Sequence, residues 1–171
     1  PKQLLPLAGR PAIVCSITAF EACPDVDEII VLMVREHLEY VRGLVAEAGF
    51  DKVGAVLPGG ATRTDTSVAA LAAMEHAADP DLVLLHDAAR PLVRPATISA
   101  CTAALREAGA VGVAVPSSDT VVRVAPGRSG GQVIAHVPPR DELRRMQTPQ
   151  GFRLGVIRRA YGSAMADPHL V

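Results

Sequence analysis

The segment LVLLHDAARPLV, which covers residues 82–93, places an acid and a base directly after four apolar residues. Asp87 and Arg90 stand three residues apart within it. A carboxylate can hold a divalent cation through oxygen, and a guanidinium can bind a phosphate group through two parallel hydrogen bonds. These residue types therefore favour phosphate chemistry. Structural roles remain open, since Asp87 also suits a helix cap, Arg90 a solvated charge and His86 a hydrogen-bonded structural histidine.

Two further clusters follow apolar segments of the same kind. Gly59 and Gly60 follow KVGAVLP, and the polar run of residues 117–120 (SSDT) follows AVGVAVP. A Gly-Gly pair lets a ligand approach the backbone closely, although it equally suits a turn that needs positive φ. Because ligands of open parallel sheets bind beyond the carboxyl ends of the strands, the three clusters predict one site along a shared edge.

The segment RDELRRMQTPQGF, residues 140–152, adds a guanidinium at Arg140 and a hydroxyl at Thr148. Residues 147–150 are too polar for a core strand, so we expect none there. Lys2 stands in PKQ at the beginning of the sequence, where a solvated charge is the simplest interpretation.

Strands and helices alternate between these clusters. Branched apolar runs predict strands at 28–34, 52–57, 82–85 and 110–115. Apolar residues at helical spacing, with prolines in two first turns and a glycine at one end, predict helices. These helices cover residues 12–23, 36–49, 62–78, 95–109 and 154–166.

This alternation, with right-handed crossovers, predicts an α/β fold: a Rossmann-like three-layer sandwich with a mostly parallel sheet. We expect one domain over residues 1–171. TVVRVA and QVIAHV flank the turn sequence PGRSGG, which predicts a protruding β-hairpin arm within residues 117–139. The arm has unpaired edges, so we expect it to pair with a second copy of the chain in a homodimer.

Composition excludes several classes of protein. The net charge is −1, aromatic residues make up 3% and there is no Trp, which argues against nucleic-acid binding. Cys15, Cys23 and Cys101 form no CxxC pair and favour reduced thiols in a cytoplasmic protein. No apolar run reaches the about 18 residues of a membrane span. GxGxxG, GxxxxGK[ST] and a supported Ser-His-Asp triad are absent, which disfavours dehydrogenases, P-loop enzymes and triad hydrolases.

Five motifs occur together in one order: PKQ, GG…RTDTS, LHDAARP, SDT and R…QTPQGF. They resemble the 2-C-methyl-D-erythritol 4-phosphate cytidylyltransferase family of the non-mevalonate isoprenoid pathway, from Pro1 to about Tyr161. The combination of HDAARP with TPQxF is shared mainly with sister cytidylyltransferases that act on ribitol 5-phosphate. The resemblance implies an enzyme that joins CTP to a sugar-alcohol phosphate and releases pyrophosphate, with Mg²⁺ as cofactor.

The resemblance also implies roles for individual residues. Lys2 and Arg140 would be catalytic, with Lys2 steadying charge on the α-phosphate and Asp87 holding the magnesium ion. The implied nucleotide-binding residues are Gly59, Gly60, Ala61, Thr66, Asp87 and Ala88. The implied residues around the methylerythritol phosphate are Arg90, Thr120, Arg140 and Thr148, of which Thr120 and Arg140 would serve the partner's site.

The sequence departs from the family pattern at three places. The glycine-rich loop with its arginine that precedes PKQ in the family, and the later acidic TDD-like stretch with a lysine, are not in these 171 residues. The domain is therefore expected to be incomplete at both ends. Val122 stands where the family often carries a lysine, two residues after Thr120, and Arg123 follows it. Two alternatives stay open: a ribitol-5-phosphate cytidylyltransferase, and a catalytically inactive nucleotide-binding module.

Overall fold

The computed structural model describes residues 1–167, which form five α-helices and nine strands. The helices are α1 (Ala12–Glu21), α2 (Leu38–Ala48), α3 (Arg63–Ala73), α4 (Pro95–Leu105) and α5 (Leu154–Ala166). The strands are β1 (Pro6–Leu7), β2 (Arg10–Pro11), β3 (Ile29–Met33), β4 (Val53–Pro58), β5 (Leu82–Leu85), β6 (Ala110–Pro116), β7 (Arg123–Pro126), β8 (Gln132–His136) and β9 (Arg144–Arg153). Short 3-10 turns lie at Lys2–Leu4, Arg35–His37 and Arg140–Glu142.

The first half of the chain is organised around the parallel pair β3 and β4. Val31 and Met33 of β3 are buried and pack with α1 in one hydrophobic cluster. Branched side chains on both faces suit a strand that is covered from two sides. Helix α2 ends at Gly49, whose φ of 62° is the left-handed conformation that glycine adopts at low cost. This half therefore follows the predicted order of elements, except for the short antiparallel pair β1 and β2 before α1, which was not predicted and which includes Pro11.

The second half contains a strand that the sequence did not predict. β9 lies between β5 and β6 and pairs antiparallel with both. The expectation that residues 147–150 form no core strand is therefore wrong. The α/β class is confirmed, but among the paired strands of residues 1–167 only β3 and β4 are parallel. The mostly parallel sheet is accordingly not observed, and the Rossmann-like layering stays a prediction.

β9 accommodates its polar residues because they lie at the end of its pairing with β5. Leu85, the last residue of β5, pairs with Gln150, so Gln147 and Thr148 lie past β5 and face the loop that follows it. Gly151 lies within the paired part, where an added Cβ would come within 2.8 Å of Leu84 and Leu105 side-chain carbons. The strand is thus tightly packed at Gly151, in the half that pairs with β5, and carries polar side chains at Gln147 and Thr148 in the other half.

Helix α3 begins with a capping box. The Thr62 side chain accepts a hydrogen bond from the Asp65 N–H, and the Asp65 carboxylate accepts one from the Thr62 N–H. Such reciprocal bonds satisfy two backbone donors that a helix start leaves free. The helix ends at Ala73, five residues before the predicted end. α5 has the predicted bounds.

Strands β7 and β8 form an antiparallel hairpin, as the sequence predicted. Gly130 and Gly131, with φ of 79° and 88°, make its turn. Every residue of β8 is exposed, and Ile134 keeps 65% of its surface open to solvent. A hairpin with so little burial of its own leaves its apolar side chains available to another surface.

None of the helices found among residues 1–167 has the length and apolar character needed to cross a bilayer. The three cysteines are free thiols, and Cys23 and Cys101 are buried.

Candidate active site

Strand β5 ends at Leu85, and the motif His86–Arg90 follows it at the edge of the sheet. Asp87 Oδ1 accepts a hydrogen bond from the Ala89 N–H at 3.1 Å, and its Oδ2 lies 3.8 Å from Arg90 Nε. Both side chains are about 40% exposed, so this ion pair contributes little stability. The Asp87 carboxylate and the Arg90 guanidinium therefore remain accessible to an incoming ligand.

The polar half of β9 is bonded to this loop. The Asp87 N–H donates to Thr148 Oγ1 at 3.2 Å, and the same oxygen lies 3.0 Å from His86 Nδ1. Arg90 Nη1 donates to Gln147 Oε1. The structure therefore brings the predicted residues Asp87, Arg90 and Thr148 together, and it adds Gln147 to them.

His86 is held by contacts on several sides. Its Nε2 lies 3.2 Å from the Arg90 carbonyl oxygen, and its ring packs 5.0 Å from the Phe20 ring of α1. Burial lowers the pKa of His86 below 6.5; the Arg90 carbonyl and the Asp87 charge act in the opposite direction. Its structural role, preferred on sequence grounds, is consistent with these contacts.

The loop between β4 and α3 forms a second part of the site. Gly59 N–H donates to the Met33 carbonyl at 2.8 Å, which ties this loop to the end of β3. Gly60 N–H donates to Thr66 Oγ1 at 3.0 Å, and the Thr66 hydroxyl donates to the Thr62 carbonyl at 2.9 Å. Thr66 therefore braces the glycine loop from within α3.

Space at Gly60 is too small for a side chain. A Cβ added there would overlap the Asp65 Cβ and lie 2.8 Å from the Asp65 carbonyl carbon. The loop can follow this path close to the first turn of α3 only because residue 60 is glycine. Ala61, the next residue, is exposed.

The Lys2–Leu4 turn lies against the same edge. Gln3 Nε2 contacts Met33 Sδ at 3.5 Å, and Leu4 packs on the hydrophobic cluster that Ala88 also contacts. Ser16 of α1 donates to the Ala88 carbonyl at 3.0 Å. The Gln3 contact places the Lys2–Leu4 turn beside the end of β3. The Lys2 ammonium is exposed and makes no bond to any residue within 1–167.

An open groove of about 240 Å³ runs between these segments. Its lining is polar and includes two guanidinium groups, one carboxylate and one hydroxyl. The lining residues are Arg63, Asp87, Arg90, Met146, Gln147, Thr148 and Gln150. We call this space the β5–β9 groove.

Arg63 is a groove residue that sequence reasoning did not identify. It is the first residue of α3, directly after the capping threonine, and it is exposed. The signal was its place in the motif GG…RTDTS, three residues after Gly60.

Thr120 and Arg140 do not line this groove. Arg140 Nη2 donates to Thr120 Oγ1 at 2.8 Å, so these two predicted residues lie together. A second open space of about 560 Å³, the β6–β9 groove, is lined by Pro116, Ser117, Arg140, Asp141 and Arg144. The cluster after β6 therefore borders a different groove from the cluster after β5, and Gly59 and Gly60 after β4 line neither of the two grooves.

Among residues 1–167, Asp87 is the only acidic residue that lines the β5–β9 groove. Residues 1–167 contain no group of three or more acidic, His or Cys side chains that could hold a metal by themselves. A lone, accessible carboxylate fits Mg²⁺, which is commonly held by one or two carboxylates together with substrate phosphates and water.

Comparison with known proteins gives one consistent result. The family model described as 2-C-methyl-D-erythritol 4-phosphate cytidylyltransferase (IspD) matches residues 1–169. A protein of that name from Thermobifida fusca is 58% identical over 168 residues, which are 98% of this chain and 68% of that protein. A bifunctional ribulose 5-phosphate reductase/CDP-ribitol pyrophosphorylase from Haemophilus influenzae is 35% identical over 94% of this chain and 33% of its own.

The fold comparison agrees with the sequence comparison. The crystal structure of 4-diphosphocytidyl-2C-methyl-D-erythritol synthase from Anaerococcus prevotii superposes with a TM-score of 0.82 at 25% identity. The match covers 96% of this chain and 72% of that one.

Proposed function

Since the chain belongs to the 2-C-methyl-D-erythritol 4-phosphate cytidylyltransferase family, we propose that it joins CTP to 2-C-methyl-D-erythritol 4-phosphate, giving 4-diphosphocytidyl-2-C-methyl-D-erythritol and pyrophosphate. The observation that carries this proposal is the β5–β9 groove, where Arg63, Arg90 and Asp87 converge beside a glycine loop. This is the arrangement that two phosphorylated substrates and a divalent cation require.

The reaction needs charge stabilisation more than proton transfer. A phosphate monoester has its second pKa at about 6, so near neutral pH its oxygen is already a competent nucleophile. That oxygen attacks the α-phosphorus of CTP, the bond to the β-phosphate oxygen breaks, and pyrophosphate leaves. The barrier is the approach of two anions, which fixed cations reduce.

The accessible cations of the chain suit this task. We propose that Lys2 contacts the α-phosphate and that Arg63 and Arg90 hold phosphate oxygens in the groove. Gly59, Gly60 and Ala61 offer backbone groups at the end of β4 beside which a base could lie, and Thr66 keeps that loop in place. Ala88, in the loop after β5, accepts a hydrogen bond from Ser16 of α1 and packs on the hydrophobic cluster of that helix.

Asp87 would hold Mg²⁺ together with the phosphates of the nucleotide. Bound there, the ion would neutralise charge that develops on the α-phosphate and the leaving pyrophosphate. The carboxylate is suited to this role because its Oδ1 is oriented by the Ala89 N–H while its Oδ2 has only a 3.8 Å contact with Arg90.

Thr120 and Arg140 support the proposal that the active protein is a homodimer. They contact each other, Arg140 borders the β6–β9 groove, and the exposed hairpin lies between them in the sequence. We propose that the hairpin arm of one chain packs against the other and carries this pair to the partner's active site. Exposed Val133 and Ile134 provide an apolar surface for that contact.

Pyrophosphate release by the full-length protein tests the function. The assay contains CTP, Mg²⁺ and either 2-C-methyl-D-erythritol 4-phosphate or ribitol 5-phosphate. We expect release with the methylerythritol substrate at the higher kcat/KM. A higher kcat/KM with ribitol 5-phosphate would assign the sister activity, and CTP binding without release from either substrate would identify an inactive binding module.

A further inference from the structure

Three hydrogen bonds, together with a neutral His86 ring, fix the direction in which the Thr148 hydroxyl donates. The Arg90 carbonyl oxygen only accepts, so the His86 Nε2 that contacts it carries the ring hydrogen. In the neutral imidazole only one ring nitrogen carries a hydrogen, so Nδ1, which lies 3.0 Å from Thr148 Oγ1, is then an acceptor. The Asp87 N–H already donates to that hydroxyl oxygen. Thr148 therefore gives its single hydrogen to His86 and keeps one lone pair for the groove.

We infer that His86 is a positioning residue that turns Thr148 into a hydrogen-bond acceptor for a hydroxyl group of the substrate's polyol chain. The inference rests on the proposed function and narrows it. A phosphate dianion offers acceptors only, so it has no hydrogen for the free lone pair of Thr148. A polyol hydroxyl has such a hydrogen.

The groove supplies separate groups for the phosphate. Arg63 and Arg90 line the same space as Thr148, and guanidinium groups donate only. The arrangement therefore divides the substrate between two kinds of partner: donors for its phosphate and an acceptor for its carbon chain. His86 maintains this division without touching the substrate, because its ring lies behind Thr148 and against Phe20.

Nitrogen NMR of the histidine rings tests the hydrogen-bond direction without any turnover. Full-length protein labelled with ¹⁵N-histidine is measured near neutral pH, alone and with 2-C-methyl-D-erythritol 4-phosphate, and the H86N variant identifies the His86 signals. We expect a pyrrole-type Nε2 and a pyridine-type Nδ1, with Nδ1 still unprotonated after the ligand is added. A pyrrole-type Nδ1 in either state would overturn the inference, because Thr148 would then be free to donate.

Substrate analogues that lack single hydroxyl groups test the second half of the inference. We expect T148V to lose about 5- to 100-fold in kcat/KM on the intact substrate, which is the range for an unpaired polar group. With the wild-type protein, the analogue that lacks the contacted hydroxyl should have a kcat/KM lower than that of the intact substrate by a similar factor. On this analogue, T148V should lower kcat/KM little further. An equal loss from T148V with every analogue would assign Thr148 to the phosphate and refute the inference.

Two conservative variants separate positioning from a merely structural role. In H86N the amide can occupy the place of Nδ1 and accept from Thr148, whereas H86Q can reach the Arg90 carbonyl but leaves Thr148 without its acceptor. We expect kcat/KM to fall at least about fivefold further in H86Q than in H86N at matched thermal stability. Equal losses would show that His86 only supports the fold.

Failure of the proposed function has a different signature. If the wild-type protein releases no pyrophosphate, the NMR titration with the same polyol phosphate still decides the inference: a shift of the His86 Nδ1 signal with retained pyridine character supports it, and an unchanged spectrum counts against it.

Discussion

Substitution of Gly60 by alanine tests whether the glycine loop is required for its close approach to α3. The added methyl group would overlap Asp65 Cβ and come within 2.8 Å of backbone, so either the loop or the first turn of the helix has to move. Overpacking of this kind costs about 1–3 kcal/mol. Loss of the capping box between Thr62 and Asp65 would add about 0.5–2 kcal/mol if the helix moves instead.

We therefore expect G60A to lower the free energy of unfolding by about 1–3 kcal/mol and to raise the Kd for CTP at least about tenfold. The second effect follows because the Gly60 N–H to Thr66 bond, which holds the loop, cannot keep its geometry. Denaturant unfolding and calorimetric titration with CTP measure the two quantities in the full-length protein.

Gly43 provides the matched control. It lies within α2, and an added Cβ there meets nothing within 4 Å. G43A should stabilise the protein by about 0.5–1 kcal/mol and leave CTP binding unchanged, since alanine is the better helix former. If G60A binds CTP as the wild type does and unfolds at the same denaturant concentration, the close approach has no functional importance and the reasoning fails.

Three further substitutions and one control variant test the groove and the arm. D87N should lower the rate of pyrophosphate release at least tenfold at saturating Mg²⁺ while the thermal midpoint stays within a few degrees, and an unchanged Mg²⁺ dependence would remove Asp87 from the site. R63Q should lower kcat/KM by about 10²–10³, because a hydrogen-bond donor to phosphate is lost. R159Q replaces an exposed arginine of α5 and should leave kcat/KM unchanged. Equal kcat/KM values for the two variants would exclude Arg63 from phosphate binding. Light scattering at micromolar concentration should show a dimer that I134D converts to monomer, and a monomeric wild type would contradict the proposed arm exchange.

The strands and helices were predictable where a single local signal determined them. The apolar runs of β3, β4 and β5 and the Pro95 start of α4 lie within a few residues of their expected positions. β9 was not, because its order of polar and apolar residues depends on neighbours far away in the sequence. Gly151 is small because Leu84 and Leu105 crowd it, and Thr148 is polar because it bonds to His86.

In the site, too, some residues were predictable from local sequence and others depended on distant contacts. The motif around Asp87 and Arg90 identified its own loop, and its chemistry could be anticipated from residue types alone. Thr66 has a bracing role that only the bonds to Gly60 and Thr62 reveal. Arg63 needed the position of the helix start, which depends on the reciprocal bonds of the capping box.

The register of β9 has a consequence for the distance between the two grooves. Arg144 borders one groove, and Met146 and Thr148 border the other. Arg144 and Thr148 are four residues apart on one strand, which corresponds to about 14 Å at an extended rise of about 3.4 Å per residue. No single phosphate group can span that length. A residue inserted between these two positions would lengthen the spacing and turn the later side chains to the opposite face. The spacing between Arg144 and Thr148 is thus set by the extended backbone of β9 itself.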